Sequence, residues 1–167
     1  MTNIKKLSLA GILIALGVVC SAFYIPVGVA KCFPVQHFIN VLAGVLLGPA
    51  YAVGMAFITS LVRVMTGTGS LLAFPGSMCG ALLCGILYKY TKNIAMAFLG
   101  ETVGTGIIGA ILAYPMAVLF LSKKAALFGF VIPFGASSLA GAAISLIFLF
   151  AIRKTPVFNA LNPNEIR

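Results

Sequence analysis

Charge is the scarcest property of this sequence: 8% of its 167 residues are charged, aspartate and tryptophan do not occur, and the only acidic residues are Glu101 and Glu165. Soluble domains usually carry about 25% charged residues, whereas here 62% of residues are apolar, which leaves too little polar surface to cover a water-soluble globule. Intrinsic disorder requires the opposite composition and is excluded. The sequence predicts one integral membrane domain over residues 1–167.

The groups that usually carry catalysis are also missing. The chain has a single histidine, His37, with no HExxH sequence and no phosphate-binding loop of the GxxxxGK[ST] kind. A serine hydrolase would have only this base and one intramembrane acid for its triad, and the lack of aspartate argues against enzymes that hold divalent metal on several carboxylates. We therefore expect no enzyme activity, no metal site and no cofactor, which leaves transport or ligand capture.

Six apolar runs with short connections predict six transmembrane helices. A helical span needs about 20 residues, so six spans use most of a chain of this length. The predicted spans are residues 7–25, 37–47, 50–65, 72–88, 95–121 and 127–152. The second and third meet at Gly48-Pro49, a turn signal, and merging them would give five spans. The predicted fold class is an all-α membrane protein, a six-transmembrane-helix bundle.

The positive charges indicate the orientation of the bundle. The net charge of +9 would suggest nucleic acid in a soluble protein, but most cations lie at the ends of apolar runs, where the positive-inside rule and anionic lipids explain them. A cytosolic N-terminus places seven basic residues in the cytosol: Lys5, Lys6, Lys89, Lys92, Arg153, Lys154 and Arg167. Lys31, Lys123 and Lys124 then face outward. The chain is predicted to have both termini in the cytosol and no nucleic acid partner.

Glu101 is the one acidic residue within a predicted span. It lies a few residues into the fifth span, where a charge costs on the order of 2.5–3.5 kcal/mol. Such a residue contacts a ligand, carries a proton or pairs with a structural partner, or it simply lies close to the cytosolic headgroups. These alternatives stay open.

The start of the second span and the end of the third carry the other polar candidates. Gln36 precedes His37 and Asn40, which are three residues apart and share one helix face. Because polar groups are costly inside a membrane, we expect them to contact a ligand. Arg63 ends the third span beside the flexible, hydroxyl-rich stretch 66–70. It either snorkels to the headgroups or contacts a ligand in an outward pocket.

Aromatic and small residues give weaker signals. Phe74 and Tyr114 lie near the outer ends of the fourth and fifth spans, where aromatic belts occur without any ligand. Tyr114 also precedes Pro115, and proline within a span often marks a kink or a cavity. On the first span Gly11 and Ala15 are four residues apart, a spacing that allows close helix approach. Internal packing alone would explain that pair.

Three stretches stand out from the rest of the sequence: KCFPVQHFINVLAGVLLGP at 31–49, TGTGSLLAFPGSM at 66–78 and GETVGTGIIG at 100–109. Together they resemble the ThiW family, whose members are substrate-binding S-components of energy-coupling factor (ECF) transporters. The resemblance extends over nearly the whole chain, and the second stretch is specific to the family.

The resemblance implies a fold and a set of partners. S-components are six-helix bundles of the bacterial cytoplasmic membrane with both termini in the cytosol. They capture a vitamin or its precursor from outside, beneath a lid made by the first and third loops. They then dock on a transmembrane coupling subunit that carries two cytosolic ATPases, so ATP is hydrolysed on other chains. ThiW members are assigned to hydroxyethylthiazole, the thiazole precursor of thiamine.

The resemblance also implies roles for individual residues. S-components dock on the coupling subunit through two alanines four apart on the first span, and Gly11 and Ala15 occupy those positions here. A small heteroaromatic ring needs apolar walls and a few placed polar partners. The lid side offers His37, Asn40, Arg63 and Ser70 as such partners. The full set of predicted substrate-binding residues is Gln36, His37, Asn40, Arg63, Ser70, Phe74, Glu101 and Tyr114.

Two alternative functions stay open. The chain could be an S-component for another small vitamin or for thiamine itself. The outward cations Lys31 and Arg63 would disfavour a cationic ligand, whereas the acid Glu101 argues weakly the other way. It could instead be a stand-alone proton-coupled carrier that uses Glu101 as its proton site. A carrier of that kind would need no coupling subunit and no ATPase.

Overall fold

The polypeptide folds almost entirely into helices, as its composition predicts. The computed structural model describes residues 3–27, 30–121 and 126–161. The helices are α1 (Asn3–Val19), α2 (Pro34–Leu46), α3 (Pro49–Met65), α4 (Ala73–Thr91), α5 (Ile94–Val103), α6 (Ala110–Leu121), α7 (Val131–Ile152) and α8 (Pro156–Leu161). A 3-10 turn, Cys20–Ala22, extends α1. A π-helical segment, Gly104–Gly109, joins α5 and α6 into one continuous helix.

The described residues include three helical stretches that are long and apolar enough to cross a membrane. They are Asn3–Ala22, Ile94–Leu121 and Val131–Ile152. Helices α2 and α3 are apolar but shorter, and α4, with 19 residues, is not among the three. Each predicted span overlaps one of these helices, with ends that differ by several residues. The number of spans and the side on which the termini lie stay predictions.

Proline and glycine set the boundary between the second and third helices. Pro34 and Pro49 lie in the first turns of α2 and α3, where the missing N–H removes no helical hydrogen bond. Gly48 has a φ of 90° between the two helices, a conformation that glycine adopts without steric cost. The predicted turn at Gly48-Pro49 is confirmed, and α2 and α3 are separate helices.

A short antiparallel hairpin connects α1 to α2. Strand β1 (Ile25–Val27) pairs with β2 (Ala30–Cys32), an element that the sequence did not predict because strands of three residues are too short to show a period. Phe33 follows β2, and its backbone N–H donates to Ser137 Oγ of α7 at 2.8 Å. The hairpin is thereby held against the bundle at the start of α2.

Helix α2 lies at the centre of the fold. Ten of its 13 residues are buried, and it packs against α1, α3, α4 and α7. Helices α1 and α7 instead present large apolar side chains to the surroundings, among them Ile4, Leu7, Ile144 and Ile147. The polar residues at the start of α2 therefore lie inside the bundle, whereas the outer faces of α1 and α7 are apolar.

Candidate functional site

The carboxyl group of Glu101 is the centre of a buried polar cluster. Its Oε1 atom lies 2.8 Å from His37 Nδ1 and accepts hydrogen bonds from Asn40 Nδ2 at 3.0 Å and Thr105 Oγ1 at 3.1 Å. The residue is 0% exposed. Its other oxygen, Oε2, has no partner among the described residues. One carboxylate oxygen is thus saturated with donors, and the other is left free to accept.

Helical spacing and one glycine position this cluster. His37 and Asn40 face Glu101 from one side of α2, and Thr105 follows Glu101 by four residues, on the same face of its helix. A Cβ atom on Gly80 of α4 would lie 2.8 Å from Glu101 Oε1 and closer still to Thr105 Oγ1. Helix α4 can therefore approach the carboxylate only because residue 80 has no side chain.

A second chain of hydrogen bonds connects Gln36 to the same region. Gln36 Nε2 lies 3.3 Å from Ser60 Oγ, the hydroxyls of Ser60 and Ser77 are 3.0 Å apart, and Ser77 Oγ donates to a backbone carbonyl of α4. Asn40 Nδ2 also donates to the backbone carbonyl of Ser77 at 3.2 Å. Ser77 is therefore common to the chain that starts at Gln36 and to the cluster around Glu101.

Arg63 is buried without any hydrogen-bond partner for its side chain. It is 1% exposed, and Nε and both Nη atoms are unpartnered among the described residues. Its Cζ atom lies 4.1 Å from the centroid of the Phe33 ring. The structure therefore excludes snorkelling and turns the guanidinium toward the interior, where an unpaired charge is costly.

The guanidinium borders a narrow crevice between the end of α1, the start of α2 and the end of α3. Its walls are formed by Gly17, Cys20, Ser21, Phe23, Phe33, Val35, Gln36 and Arg63. The crevice is too narrow to hold a water molecule. Ser21 Oγ donates to Thr68 Oγ1 at 2.9 Å, and this hydrogen bond joins the end of α1 to the stretch after α3. The third connection is thus tied to the end of α1 beside the crevice.

The structure brings only some of the predicted site residues together. Gln36, His37, Asn40 and Glu101 belong to the polar cluster, and Gln36 and Arg63 line the crevice. Ser70 is exposed and Tyr114 half-buried, and neither side chain makes a hydrogen bond to another described residue. Phe74 is half-buried, with its ring 5.5 Å from that of Phe57. These last three residues lie outside both groups.

Sequence reasoning missed three hydroxyl groups and one glycine of the site, namely Ser60, Ser77, Thr105 and Gly80. Two of them could have been found from helical spacing, because Ser60 precedes Arg63 by three residues and Thr105 follows Glu101 by four. Ser77 and Gly80 lie on α4. The candidate predicted on that helix, Phe74, lies outside the cluster, so it did not mark the face that meets Glu101.

The predicted docking residues lie on an open surface. Gly11 and Ala15 are exposed on α1, and no atom lies within 4 Å of the position that a Cβ on Gly11 would take. An apolar groove of about 450 Å³ runs beside them between α1 and α3. Within the described part of the chain, no three His, Cys, Asp or Glu side chains are grouped so that they could hold a metal ion.

A family model matches most of the chain. Residues 7–155 fit the family model described as thiamine-precursor transporter protein (ThiW), which confirms the resemblance seen in the three sequence stretches. A search of the curated proteins found no match.

Proposed function

Because the chain belongs to the ThiW family of thiamine-precursor transporters, we propose that it is the substrate-binding S-component of an ATP-driven ECF importer and that it binds hydroxyethylthiazole. Family membership makes it a transport protein, which is consistent with the expected lack of enzyme activity, and its long apolar helices fit a multi-pass membrane protein. The proposal extends to a bundle of six spans in the bacterial cytoplasmic membrane, with both termini in the cytosol.

The buried guanidinium of Arg63 beside an aromatic wall is the observation that supports this function best. Sites for small ligands combine apolar and aromatic walls with a few placed polar groups. Phe23 and Phe33 supply rings at the crevice, and Gln36 and Arg63 supply polar groups. Hydroxyethylthiazole offers an aromatic ring for the walls, a ring nitrogen that accepts hydrogen bonds and a hydroxyl group that donates and accepts them.

We place the lid of the site at the hairpin and the stretch 66–70. Because the crevice is too narrow for a water molecule, a ring can enter only when Phe33 moves away from Arg63. The hydrogen bond between Ser21 and Thr68 closes this side of the bundle and would have to break at the same time. Ser70 is exposed in the same stretch and would reach the ligand as the lid closes again.

The cluster around Glu101 is proposed to receive the hydroxyl group of the substrate. Oε1 already has its donors, so Oε2 is the acceptor that remains. His37 and Asn40 hold the carboxylate from α2 and would contact the substrate beside it. Phe74 and Tyr114 stay proposed wall residues.

The exposed face of α1 is proposed to dock on the coupling subunit, which carries two cytosolic ATPases. Gly11 and Ala15 put no bulky side chain on this face, and the groove between α1 and α3 adjoins it. Small residues allow helices to pack closely within a bilayer. A bulky side chain at Gly11 would therefore prevent docking without touching the substrate site.

A stand-alone proton-coupled carrier is the second candidate. The pair formed by His37 and Glu101, 2.8 Å apart and buried, supports it because intramembrane acids and histidines form proton relays. In that case uptake would be sensitive to an uncoupler while ATP is held constant, and Glu101→Gln would abolish it.

Uptake of radiolabelled hydroxyethylthiazole separates the two functions. It is measured in cells that express this chain with or without the coupling subunit and its ATPases. We expect uptake only with the complete module, and uptake that continues without it would contradict the proposal.

Gly11→Trp tests the docking face in the same assay. It should stop uptake but leave ligand binding to the purified chain unchanged, because Gly11 lies outside the substrate site. Ile147→Trp on the exposed face of α7, where Ile147 is 71% exposed, is the matched control and should affect neither. Uptake by Gly11→Trp at the wild-type rate would contradict the docking assignment.

A further inference from the structure

Two aromatic rings, with a cation at each end, form a line of contacts from the surface of the protein to the crevice. Lys31 Nζ lies 4.2 Å from the centroid of the Tyr24 ring, the rings of Tyr24 and Phe33 are 6.1 Å apart, and Arg63 Cζ lies 4.1 Å from the Phe33 ring. Lys31 is exposed and Arg63 is buried. A ligand that enters between the hairpin and the end of α3 therefore meets positive charge at both ends of its path.

No carboxylate lines the crevice, because Glu101, the acid among the described residues, belongs to the polar cluster and not to this lining. The walls of the crevice come from α1, the start of α2 and the end of α3, and Arg63 is the only charged residue among them. Oε1 of Glu101 is occupied by donors from α2 and from the π-helical segment. The other acid of the sequence, Glu165, lies outside the described residues.

The guanidinium group needs a ligand with a lone pair. Arginine has five N–H donors and no acceptor, and none of its nitrogens at position 63 has a partner among the described residues. A neutral thiazole offers the lone pair of its ring nitrogen. A thiazolium ring, in which that nitrogen carries a fourth bond to carbon, has no lone pair and bears a permanent positive charge.

We infer that Arg63 makes this protein selective for thiazoles with an unalkylated ring nitrogen and makes it reject thiazolium compounds, including thiamine. This inference rests on the proposed function, since it assumes that the ring binds at the crevice. Two positive charges about 4 Å apart near a protein surface repel strongly enough to lower affinity roughly a thousandfold. The same residue that attracts the precursor thus excludes the finished vitamin.

The test compares pairs of ligands of nearly equal size on the purified full-length chain in nanodiscs, by isothermal titration calorimetry. The probes are hydroxyethylthiazole, its N-methyl thiazolium derivative, its C2-methyl derivative and thiamine. We expect the wild-type protein to bind N-methyl thiazolium at least about 100-fold more weakly than hydroxyethylthiazole. The C2-methyl compound, which adds a methyl group but keeps the lone pair and the neutral charge, should bind within about tenfold of the parent.

Two variants assign the selectivity to Arg63. Arg63→Gln should lower affinity for hydroxyethylthiazole roughly 10- to 100-fold, as expected for the loss of a hydrogen bond to a charged group. In this variant the affinities for the neutral thiazole and for the N-methyl thiazolium should differ by less than about tenfold. Arg63→Lys keeps the charge but not the planar donors, so it should still reject the thiazolium while binding the neutral ring more weakly. If Arg63→Gln does not fold, the affinity ratios of the paired ligands on the wild type and on Arg63→Lys still test the selectivity.

The outcomes that would overturn the inference are distinct. Wild-type protein that binds both rings equally, or an Arg63→Gln variant that keeps the wild-type ratio, overturns the selectivity and leaves the proposed function standing. Wild-type protein that binds none of the four probes overturns both the selectivity and the proposed function.

Discussion

Within the part of the chain that the structure describes, one carboxylate and one guanidinium group are buried, and their surroundings are opposite. Oε1 of Glu101 has three hydrogen-bonding neighbours, whereas no side-chain nitrogen of Arg63 has a partner among the described residues. Both residues are at most 1% exposed. Because a buried charge stabilises a fold only when it is well paired, the cluster around Glu101 holds the helices together. Arg63 lacks such hydrogen bonds and has donors left for a ligand.

Removing the carboxylate should have the largest effect on stability. Glu101→Ala leaves the polar groups of His37, Asn40 and Thr105 without their common acceptor, and breaking a buried pair in this way lowers the free energy of unfolding by roughly 3–5 kcal/mol. Unfolding in mixed detergent micelles titrated with dodecyl sulfate measures the change. Glu101→Gln, which keeps one carbonyl oxygen for Asn40 and Thr105, is the matched control and should lose less than half as much. A loss below about 1 kcal/mol for Glu101→Ala would contradict a holding role.

A methyl group beside the carboxylate should have the next largest effect. Gly80→Ala places a Cβ atom 2.8 Å from Glu101 Oε1, so either α4 or the side chains of the cluster must shift, and overpacking of this kind costs about 1–3 kcal/mol. The same unfolding assay measures it. Gly54→Ala on α3 is the control, because no atom lies within 4 Å of its added Cβ. Its stability should stay unchanged or rise by up to about 1 kcal/mol, and equal losses in the two variants would rule out the steric explanation.

The paired cluster was partly predictable from the sequence. His37 and Asn40 share a helix face by their spacing, and Glu101 is the one acid within an apolar run, so all three were expected to be functional. Their contact across two helices was not predictable, because spacing along one helix gives the face that a residue occupies but not the helix that this face meets. Ser77 shows the same limit: a serine fits any face of an apolar helix, and only packing places it against α2.

The surroundings of Arg63 were less predictable from the sequence. An arginine at the end of a span can snorkel, and the burial of Arg63 depends on the hairpin that brings Phe33 over it. That hairpin has strands of three residues, too short for any alternation to be read from the sequence. The π-helical segment Gly104–Gly109 was also missed, because glycine-rich runs within a span predict close packing and do not distinguish a π-helical turn from an α-helical one.

Replacing Arg63 should separate binding from stability. Arg63→Met loses the cation–π contact with Phe33, which lowers stability, and removes an unpaired buried charge, which raises it. The free energy of unfolding should therefore change by less than about 1 kcal/mol. Affinity for hydroxyethylthiazole should nevertheless fall roughly 10- to 100-fold. The unfolding assay and calorimetry measure the two quantities on one preparation. A stability loss as large as that of Glu101→Ala would show that the guanidinium also holds the fold, and the contrast between the two charges would disappear.

The smallest effect is expected at Cys32, whose thiol reports movement of the hairpin over Arg63. The side chain is 2% exposed, its Sγ lies 3.4 Å from the Pro133 carbonyl oxygen, and burial raises the pKa of the Cys32 thiol. Because the pKa is higher in the folded than in the unfolded chain, the protonated thiol contributes stability below the ordinary thiol pKa of about 8.5. That contribution is lost as the pH rises through the raised pKa.

A charged maleimide applied at pH 7.5 to a variant that retains only Cys32 measures this movement. Since the thiolate is the reactive form and the hairpin must open before the reagent can enter, labelling should be about tenfold slower than that of a Ser70→Cys variant without Cys32, because Ser70 is exposed. Hydroxyethylthiazole should slow it further by holding the lid closed, and Arg63→Gln should remove this protection. Labelling of Cys32 as fast as at position 70, or protection that persists in Arg63→Gln, would mean that the hairpin does not close on a ligand bound by Arg63. The unpaired guanidinium would then need another explanation.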